Sequence, residues 1–481
     1  MVAITGGRGR VWPGRTARAI ADFCLVCPGP FRAGKLGDAA AFWRDEILEG
    51  VGEDEIRHVW DILENVFDIE AQFAIPGEQP GEWIPTGPPP PSSAPNRVEP
   101  RFWDFVSQAV ADAVASGAAR KVTTRPHTVL PIGVEPDKPR MFLNARTLNR
   151  HTRTRSFRMT GGVGEVPGIA PRGSLFSSVD HKSGYHQVGV AEHCWTYFGM
   201  EWEGQYYVWT VLIFGYSLSP WVYQTLSDHV SRYVCRCGVP CLSWVDDFLA
   251  VGTLVGLYDV SPSDPFSPAR AQAAFHAGRR AVFILVATMV LAGYFVALAK
   301  SVLEPTSMIK YLGFLHDSEQ QRYIVPPDKV ERFLVLVRGI LAARAAPFQT
   351  LEKVHGKAVA FSFAVPAAGV FVRSMQHALT DAMRRDARAR ASNNPIPVPV
   401  VGDLANDLQA WCALEGDLNG GPWLRPDHWA FRLRMDSDAS SRRWVACCSF
   451  HQLPGRRRVV GQCFGPPASS NRRWNCHWIL M

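Results

Sequence analysis

The segment Trp244-Val245-Asp246-Asp247-Phe248-Leu249 places two adjacent carboxylates between apolar runs on both sides. Short apolar runs interrupted by a polar step predict two strands joined by a tight turn, with both Asp residues at the turn. Taken alone, such a pair is more often a solvated turn, because Asp readily hydrogen-bonds its own backbone. The segment therefore predicts a β-hairpin, and its chemistry depends on what other segments bring to it.

A third carboxylate, Asp180, stands at the end of a second strand-like run and opens Asp180-His181-Lys182-Ser183-Gly184-Tyr185. Three carboxylates at one sheet edge could hold two divalent cations, which clamp the attacking and leaving oxygens of an in-line phosphoryl transfer. Hard oxygen ligands favour Mg²⁺, with Mn²⁺ as an alternative ion. The pattern predicts a two-metal site if Asp180 meets the hairpin.

Composition indicates a folded protein with a basic surface. The 481 residues are 47% hydrophobic and include 16 Trp and 26 Phe, which argues against a mostly disordered chain. The net charge is +7, yet residues 44–82 hold 12 acidic and only 2 basic residues, so the rest of the chain is distinctly basic. A basic body favours a polyanion-binding surface, while an unevenly charged but merely solvated surface remains open.

The cysteines indicate a reducing compartment. Eleven of them are scattered, and no apolar signal sequence follows the N-terminus, so we expect an intracellular protein, cytoplasmic or nuclear, that is not secreted. Cys24-Leu25-Val26-Cys27 has the spacing of zinc ligands, but further cysteines lie far along the chain. Because structural zinc needs four ligands, this pair alone does not predict a zinc site.

The run from Ala281 to Ala299 carries no charge and is long enough to span a membrane. Gly293 interrupts it, however. We predict a buried helix to about Leu291, a turn at Gly293 and a strand from Tyr294 to Leu298, with no membrane expected. Since periodicity cannot separate buried runs from spanning ones, a membrane-anchored protein stays open as an alternative.

The chain divides at two Pro-rich stretches. Apolar residues at helical spacing around Trp43 predict a helical N-terminal module, and the prolines after Pro85 predict a stiff linker. The predicted segments are a helical module (1–84), a linker (85–96), a mixed region (97–320), a mostly helical region (321–383), a second linker (384–402) and a C-terminal segment (403–481).

Several further blocks follow one another in a fixed order around the carboxylates. They are Lys138-Pro139-Arg140-Met141-Phe142-Leu143-Asn144-Ala145-Arg146-Thr147-Leu148-Asn149, then Val211-Leu212-Ile213-Phe214-Gly215-Tyr216-Ser217-Leu218-Ser219-Pro220, then Lys300-Ser301 and Tyr311-Leu312-Gly313-Phe314. Together with Asp180 and the Asp pair, this set resembles reverse transcriptases, in particular those of DIRS-like retrotransposons that carry a tyrosine recombinase. The resemblance covers residues 97–383 well and 425–450 weakly.

The resemblance implies an α+β fold of the right-hand polymerase type. Residues 97–320 would be fingers and palm, and residues 321–383 thumb and connection. Asp180 and Asp246 would be catalytic metal ligands with Asp247 in support. Lys300 would protonate the departing pyrophosphate or, equally, cap a strand end.

The resemblance also implies a nucleotide site and a primer grip. Lys138 and Arg140 would neutralise the incoming triphosphate, unless they are solvated bases of a surface strand. The Tyr185 ring would exclude a ribose 2′-OH, unless it merely packs beside the strand. Phe214 and Gly215 would lie beside the nascent base pair, and Leu312 and Gly313 would grip the primer. The helix with Tyr223 and Gln224 would carry the template.

Some positions depart from the family pattern. Trp244 replaces the Tyr of the Y-x-D-D signature, and Asn144 replaces an Asp of the fingers block. Arg434-Met435-Asp436-Ser437-Asp438-Ala439-Ser440 resembles the first strand of a ribonuclease H domain, with Asp438 as its first metal ligand. Residues 439–481 contain no Asp or Glu. Because that fold needs further carboxylates for its ions, we expect a truncated segment without ribonuclease H activity.

The sequence thus predicts an RNA-directed DNA polymerase, a nucleotidyltransferase that uses two Mg²⁺ ions, an RNA or DNA template with a primer, and deoxynucleotides. Three alternatives stay open. One is a catalytically inactive retroelement relic that binds nucleic acid, another is the membrane-anchored protein, and the third is an RNA-making polymerase, which Tyr185 disfavours.

Overall fold

The computed structural model describes residues 15–26, 30–64, 66–75, 85–137, 139–253, 268–386, 397–416, 418–423, 431–439, 444–452, 458–465 and 475–480. The chain forms two compact units, Met1–Pro422 and Trp423–Met481. The first unit combines helices with several small sheets, and the second is a sheet of antiparallel strands. This is the mixed α+β composition that the sequence predicts.

Helices begin where the sequence supplies a start signal. Pro220 lies in the first turn of a long helix, and Pro327 opens another with Asp328 in its first turn. Proline suits this position because its missing N–H has no helical partner there. The helices are α1 (Arg15–Val26), α2 (Ala40–Phe42), α3 (Glu53–Leu63), α4 (Trp103–Ala115), α5 (Arg146–Asn149), α6 (Val166–Ile169), α7 (Ser219–Arg236), α8 (Pro268–Leu291), α9 (Pro327–Ala343), α10 (Phe348–Ala360), α11 (Ala368–Phe371), α12 (Arg373–Arg385) and α13 (Gly402–Trp411).

The strands are short and mostly antiparallel. They are β1 (Ser92–Ser93), β2 (Ala119–Val122), β3 (Thr128–Val129), β4 (Ile132–Val134), β5 (Met141–Leu143), β6 (Leu175–Asp180), β7 (Gly199–Trp202), β8 (Gln205–Trp209), β9 (Cys241–Trp244), β10 (Asp247–Gly252), β11 (Val302–Thr306), β12 (Met308–Tyr311), β13 (Phe314–Asp317), β14 (Arg322–Ile324), β15 (Ala345–Ala346), β16 (Val398–Pro399), β17 (Phe431–Ala439), β18 (Trp444–Gln452), β19 (Arg458–Gly465) and β20 (Asn475–Leu480).

The central sheet has the strand order β11-β6-β10-β9, with every neighbouring pair antiparallel. The predicted strand–turn–strand around the Asp pair is confirmed, because β9 ends at Trp244 and β10 begins at Asp247. The turn itself is Val245 and Asp246, so Asp247 lies on β10 and not in the turn as predicted. The predicted strand that runs into Asp180 is β6. The middle of β10, from Phe248 to Val251, is buried almost completely. An unbroken apolar run is what a strand covered on both faces requires.

Helices α7 and α8 cover this sheet. Helix α7 packs on β9, and α8 packs on β6 and β10. A Cβ added to Gly252 would lie 2.3 Å from the Cα of Gly278 on α8, so the helix backbone approaches the strand more closely than any side chain would permit. The two glycines thus bring α8 directly against the sheet.

Helix α8 is long and apolar enough over Ala271–Leu291 to cross a membrane, but half of its apolar window is buried inside the protein. Val282, Leu285 and Met289 are completely buried on the side that joins the core. A buried core helix shares this length and composition with a spanning one. The prediction that no membrane is bound stays a prediction.

The segment that follows α8 agrees only in part with the prediction from the sequence. The helix ends at Leu291, and Gly293 forms the turn with φ +87°, both as expected. The predicted strand from Tyr294 to Leu298 is wrong. Only Val296 in this segment makes a β-bridge, with His181.

A side chain occupies the place of a neighbouring strand at this point. Gln187 accepts a hydrogen bond of 2.9 Å from the Phe295 N–H and donates one of 3.2 Å to the Phe295 carbonyl. The Lys182 N–H donates to the same carbonyl at 2.7 Å. The Lys182 bond belongs to the single bridge with His181, and Gln187 holds both polar groups of Phe295 beside it.

The N-terminal segment packs into the same core as the central sheet. Trp43 is completely buried, and its indole N–H donates to the Ala292 carbonyl at 2.9 Å, where the chain leaves α8. Glu55 of α3 pairs with Arg232 of α7 at 2.8 Å. Arg236, at the end of α7, donates to the Glu46 carbonyl at 2.7 Å. The N-terminal segment therefore contacts α7 and the end of α8 and stabilises both.

The C-terminal helices of the first unit pack around Trp411. Its ring lies 5.3 Å from that of Phe333 on α9, and both side chains are completely buried. Helix α13 also packs on α12. The C-terminal segment was predicted to begin at residue 403. Helix α13, however, packs with the preceding helices. Residues 387–396 of the predicted second linker lie outside the described residues.

The second unit contains a four-stranded antiparallel sheet in which the strands β17, β18, β19 and β20 follow one another in order. Asp436 and Asp438 lie on β17, paired with Cys447 and Val445 of β18. The predicted strands at the end of the chain are therefore present. The ribonuclease H-like assignment stays a prediction.

Replacement of Trp43 by Ala should lower the free energy of unfolding by about 3–5 kcal/mol, because it leaves a large cavity and an unpaired Ala292 carbonyl. Urea unfolding of the full chain, followed by circular dichroism, measures this change. Trp103→Ala is the control, since 57% of that side chain is exposed. Equal unfolding midpoints for Trp43→Ala and wild type would contradict the support assigned to this residue.

Candidate active site

The register of the central sheet brings the three predicted carboxylates together. Asp247 is paired directly with Asp180 across β10 and β6. Opposed residues of antiparallel strands have Cα atoms about 4.5–5.5 Å apart and project to the same face. The His181 N–H donates to the Asp246 carbonyl at 3.2 Å, which ties the turn to the end of β6. Residues far apart in sequence therefore converge at one sheet edge, as predicted.

Burial makes the charged form of these carboxyl groups costly. It raises the pKa of Asp247 to about 6, with further contributions from the nearby charges of Asp246 and Asp180. Burial also raises the pKa of Asp180 and of Asp246 above their usual range, against the opposing effect of Lys300. Because like charges repel one another in a site with little water, these carboxyl groups favour binding either a proton or a cation.

The donor set fits a hard divalent cation. Asp180 Oδ1 is buried and has no hydrogen-bond partner, and the Lys300 ammonium lies 3.8 Å from it. Asp246 Oδ2 lies 3.3 Å from the position that a Cβ of Gly184 would take, and, after burial, the charge of Asp246 helps to raise the pKa of Asp180. An unpaired carboxylate oxygen beside two further carboxyl groups is suited to coordinate Mg²⁺. Asp180 and Asp246, with Asp247 beside them, are the residues that could hold it.

The turn that carries Asp246 is strained and is held by α7. Val245 has φ +54°, a left-handed conformation that is rare for a β-branched residue and costs on the order of 1–2 kcal/mol. Its N–H donates to Gln224 Oε1 at 2.7 Å, and its carbonyl accepts from the Ser227 hydroxyl at 2.6 Å. These two side chains of α7 compensate the strain and fix the direction of the Asp pair.

A second buried contact fixes the end of β6. His181 is 1% exposed and lies within 2.6 Å of the Tyr223 hydroxyl through Nδ1. Its ring stacks on Tyr294 with 4.2 Å between centroids. Burial lowers the pKa of His181 to about 3, so the ring is neutral. The residue that follows Asp180 is thus locked between α7 and the segment after α8.

The helix with Tyr223 and Gln224 was predicted to carry the template, and that role stays a prediction. These two side chains are buried and bond to His181 and Val245. A buried side chain cannot contact a nucleic acid strand, so they support the site from behind. The sequence offered one signal, since polar residues at the apolar positions of a helix suggest a buried hydrogen-bond network.

Lys300 lies beside the carboxylates, as the prediction requires. Its side chain is 68% exposed, and its Nζ is 3.8 Å from Asp180 Oδ1. The neighbouring Ser301 hydroxyl accepts a hydrogen bond of 3.1 Å from the Asp180 N–H and donates to the Ala297 carbonyl at 2.9 Å. Ser301 therefore anchors the chain here, while the exposed Lys300 side chain forms an ion pair with Asp180.

Aromatic rings and a guanidinium extend the site on one side. The Tyr185 ring lies 4.9 Å from that of Phe214, and the Arg140 guanidinium lies 5.2 Å above the same Phe214 ring. Burial and then the charge of Asp246 raise the pKa of Tyr185 to about 12, so its hydroxyl stays protonated. The structure thus brings Arg140, Tyr185 and Phe214 together beside Asp246. Lys138 lies outside the described residues.

Gly215 allows a close backbone contact at the next turn. It has φ +106°, and a Cβ there would lie 2.2 Å from the Leu143 carbonyl oxygen. Asn149 holds this turn, since its Nδ2 donates to the Gly215 carbonyl and its Oδ1 accepts from the Ser217 N–H, both at 2.9 Å. A cavity of about 390 Å³ opens beside it, lined by Phe142, Leu143, Asn144, Ala145, Arg146, Asn149, Arg150 and Gly215.

Leu312 and Gly313 form the two-residue turn between β12 and β13, with φ +44° and +87°. Lys329 donates to the Gly313 carbonyl at 2.9 Å and so fixes the turn against α9. The adjoining Tyr311 hydroxyl donates to the Gly161 carbonyl at 2.8 Å. Burial, together with the charges of Cys241 and Asp247, raises the pKa of Tyr311, which places this hairpin near the carboxylates.

Comparison with known proteins agrees with this geometry. Residues 136–315 match the family model described as reverse transcriptase (RNA-dependent DNA polymerase), so the chain contains a reverse transcriptase domain. This segment includes Asp180, Asp246 and the Leu312-Gly313 turn. No curated protein sequence matches the chain with significant similarity.

Solved structures of foamy viral protease-reverse transcriptase share the fold. The form described as dRH, in complex with double-stranded DNA, gives a TM-score of 0.56 at 15% identity, over 90% of this chain and 68% of that one. A complex with an RNA/DNA hybrid gives 0.53 at 14% identity, over 92% of this chain and 52% of the viral chain. A further complex with double-stranded DNA gives a TM-score of 0.52 at 16% identity, over 90% of this chain and 81% of the viral chain. The chain thus spans about half the length of one of these proteins.

Magnesium should stabilise the protein more at about pH 8 than at about pH 5. A carboxyl group whose pKa is raised in the folded state stabilises the fold at pH values below its unfolded-state pKa. For Asp247 this stabilisation is lost as the pH rises through about 6, its pKa in the folded protein. Mg²⁺ restores it where the carboxyl groups are ionised and does little where they keep their protons. Thermal unfolding with and without Mg²⁺, at matched ionic strength, measures the difference.

The matched variant is Asp247→Asn, which removes one of the charges. We expect it to raise the metal-free melting temperature at about pH 8 and to reduce the shift that Mg²⁺ produces. Equal Mg²⁺ shifts at both pH values in the wild type would contradict the role given to the carboxyl groups.

Proposed function

We propose that the protein is an RNA-directed DNA polymerase that adds deoxynucleotides to a primer 3′ end. The observation that carries this proposal is the direct pairing of Asp180 with Asp247, with Asp246 at the adjoining turn, inside a segment that matches the reverse transcriptase family. We further propose that Asp180 and Asp246 hold two Mg²⁺ ions with Asp247 in support. When bound, the ions would lower the pKa of the attacking hydroxyl and stabilise charge on the phosphates.

The residues around the carboxylates suit the remaining tasks. Arg140, above Phe214, offers a planar donor for triphosphate oxygens. Lys300 is exposed next to Asp180 and can donate a proton to the leaving pyrophosphate, which is general acid catalysis. The Phe214 ring and the Gly215 turn offer an apolar face for the base pair. Most of the work is positioning and charge neutralisation, which such a transfer mainly requires.

A basic cluster next to the Leu312-Gly313 turn supports nucleic acid as the partner. Burial and then Lys310 lower the pKa of Lys329, and burial and then Lys353 lower that of Lys357. Cations held this close to one another fit a surface that binds phosphates and releases counterions. Lys329 also bonds to the turn itself, so the proposed primer grip and the cations form one surface.

A catalytically inactive protein that binds nucleic acid is the second candidate. Trp244, in place of the family's Tyr, favours it, because this larger ring lies directly opposite Asp247 in the β9–β10 ladder. We also propose a retrotransposon origin of the DIRS-like type and a C-terminal segment without ribonuclease H activity. The last point rests on residues 439–481, which contain no carboxylate side chain.

Primer extension on an RNA template with Mg²⁺ and deoxynucleotides tests the main proposal. We expect extension by the wild type, loss of extension with a chelator, and a loss of about 100-fold or more for Asp246→Asn, because one carboxylate of the metal site is gone. Asp381→Asn is the control, since that carboxylate is exposed on α12.

Full activity of Asp246→Asn would refute the role assigned to this residue. Salt-sensitive binding of the template-primer without extension by the wild type would support the inactive candidate instead, since phosphate contacts depend on counterion release.

Tyr185→Ala should relax the choice of sugar. Removing the ring opens the space that a ribose 2′-OH would occupy, so ribonucleotide incorporation relative to deoxynucleotide should rise on the order of 10- to 100-fold. Tyr185→Phe keeps the ring beside Phe214 and should keep the wild-type preference. The ratio of kcat/KM for the two nucleotide types is the measurement. An unchanged ratio in Tyr185→Ala would assign the ring to packing alone.

A further inference from the structure

A separate group of metal-ligating side chains lies away from the carboxylates in sequence, where the N-terminal segment meets the 3₁₀ helix that precedes β7. Asp68 precedes the 3₁₀ helix Glu70–Gln72, and His193 and Cys194 lie on the 3₁₀ helix Glu192–Phe198. One ligand atom from each lies within 4.8 Å of the other two. An oxygen, a nitrogen and a sulfur donor therefore converge.

The backbone holds the two segments in this arrangement. Phe67 forms a parallel β-bridge with Val190. The Phe67 N–H donates to the Gly189 carbonyl at 3.3 Å, and the Ala191 N–H donates to the Phe67 carbonyl at 3.1 Å. Because these bonds join residues next to Asp68 with residues next to His193, the three side chains are positioned before any ligand arrives.

The distances suit a tetrahedral ion. Asp68 Oδ1 lies 3.2 Å from Cys194 Sγ and 3.5 Å from His193 Nε2. Zinc bonds of about 2.3 Å to sulfur and about 2.0–2.2 Å to nitrogen and oxygen give ligand separations of roughly 3.3–3.6 Å in a tetrahedron. The two distances from Asp68 Oδ1 already lie close to this range, and His193 Nε2 lies within 4.8 Å of Cys194 Sγ.

The sulfur atom has the surroundings of a ligand. Cys194 is completely buried, and the backbone N–H groups of Glu70 and Ile69 approach its sulfur. The thiol donates a hydrogen bond of 3.2 Å to Asp68 Oδ1, so the free Cys194 already contacts a second ligand. A coordinated metal deprotonates such a thiol outright. The N–H groups would then stabilise the thiolate.

The other two donors face solvent. The side chains of Asp68 and His193 are 42% and 57% exposed, which leaves an entry path and room for a water ligand. Asp68 Oδ1 also accepts a hydrogen bond of 3.1 Å from the Ala71 N–H. That bond orients the carboxylate, as bonds to outer residues commonly do for metal ligands.

We propose that Asp68, His193 and Cys194 bind one zinc ion, with water as the fourth ligand, and that the ion fastens the N-terminal segment to the 3₁₀ helix Glu192–Phe198. Sulfur and imidazole donors favour Zn²⁺ over Mg²⁺. Binding replaces the Cys194 S–H bond with a sulfur–zinc bond and releases that proton to solvent. The neutral His193 ring contributes Nε2. The proposal is independent of polymerase activity.

Zinc binding to the full chain, measured without nucleic acid or nucleotide by competition with a chromophoric chelator, tests the proposal. We expect one tight equivalent in the wild type and a fall in affinity of about 100-fold or more in His193→Ala and Cys194→Ser. His193→Ala is the decisive variant, because its exposed ring is not needed for packing. His377→Ala and Cys237→Ser are the matched controls and should bind as the wild type does.

Two further readouts locate the ion. Zinc should raise the melting temperature of the wild type but not that of His193→Ala. Cobalt in place of zinc should show a thiolate charge-transfer band that Cys194→Ser removes and Cys237→Ser keeps. A wild type that binds no zinc, or variants His193→Ala and Cys194→Ser that bind as the wild type does, would overturn the proposal.

Discussion

The convergence of three half-buried carboxyl groups at the end of two strands is the constraint around which the central sheet is organised. The register of β6 and β10 sets Asp180 opposite Asp247, and the adjoining turn adds Asp246. Burial raises the pKa of each, and the cluster retains an unpaired oxygen on Asp180. Such an arrangement costs stability, so the packing of the surrounding elements must compensate for it. A site that is unfavourable when empty and favourable with cations is what metal-dependent phosphoryl transfer requires.

Helix α7 supplies most of this compensation. Gln224 and Ser227 hold both polar groups of the strained Val245 backbone, and Tyr223 holds His181 next to Asp180. The N-terminal segment in turn supports α7 through Glu55 and Arg232 and the end of α8 through Trp43. One acidic side chain of this segment, Glu55, is therefore used against a basic residue of α7, Arg232. The proposed zinc site would add a further attachment of the same segment.

Local sequence patterns predicted those elements of the fold whose structure is set by residues close to one another in the sequence. The hairpin around the Asp pair, the strand ending at Asp180, the end of α8 at Leu291 and the turn at Gly293 are all present. The strand predicted after Gly293 is absent, and Gln187, a distant side chain, holds both polar groups of Phe295 there. Tyr223 and Gln224 are buried because they bond to His181 and Val245, and these partners lie outside the helix.

The sequence by itself determined which chemistry is available here. Carboxylates, a neighbouring Lys and an ordered set of blocks indicate a reverse transcriptase domain, because residue type and short-range spacing are written in the chain. Only the tertiary structure decided which side chains meet. It paired Asp180 with Asp247, turned Gln224 inward, and brought Asp68 to Cys194 across 126 residues. Such contacts depend on sheet register and helix packing, which are set by the simultaneous burial of many apolar residues and not by any local pattern.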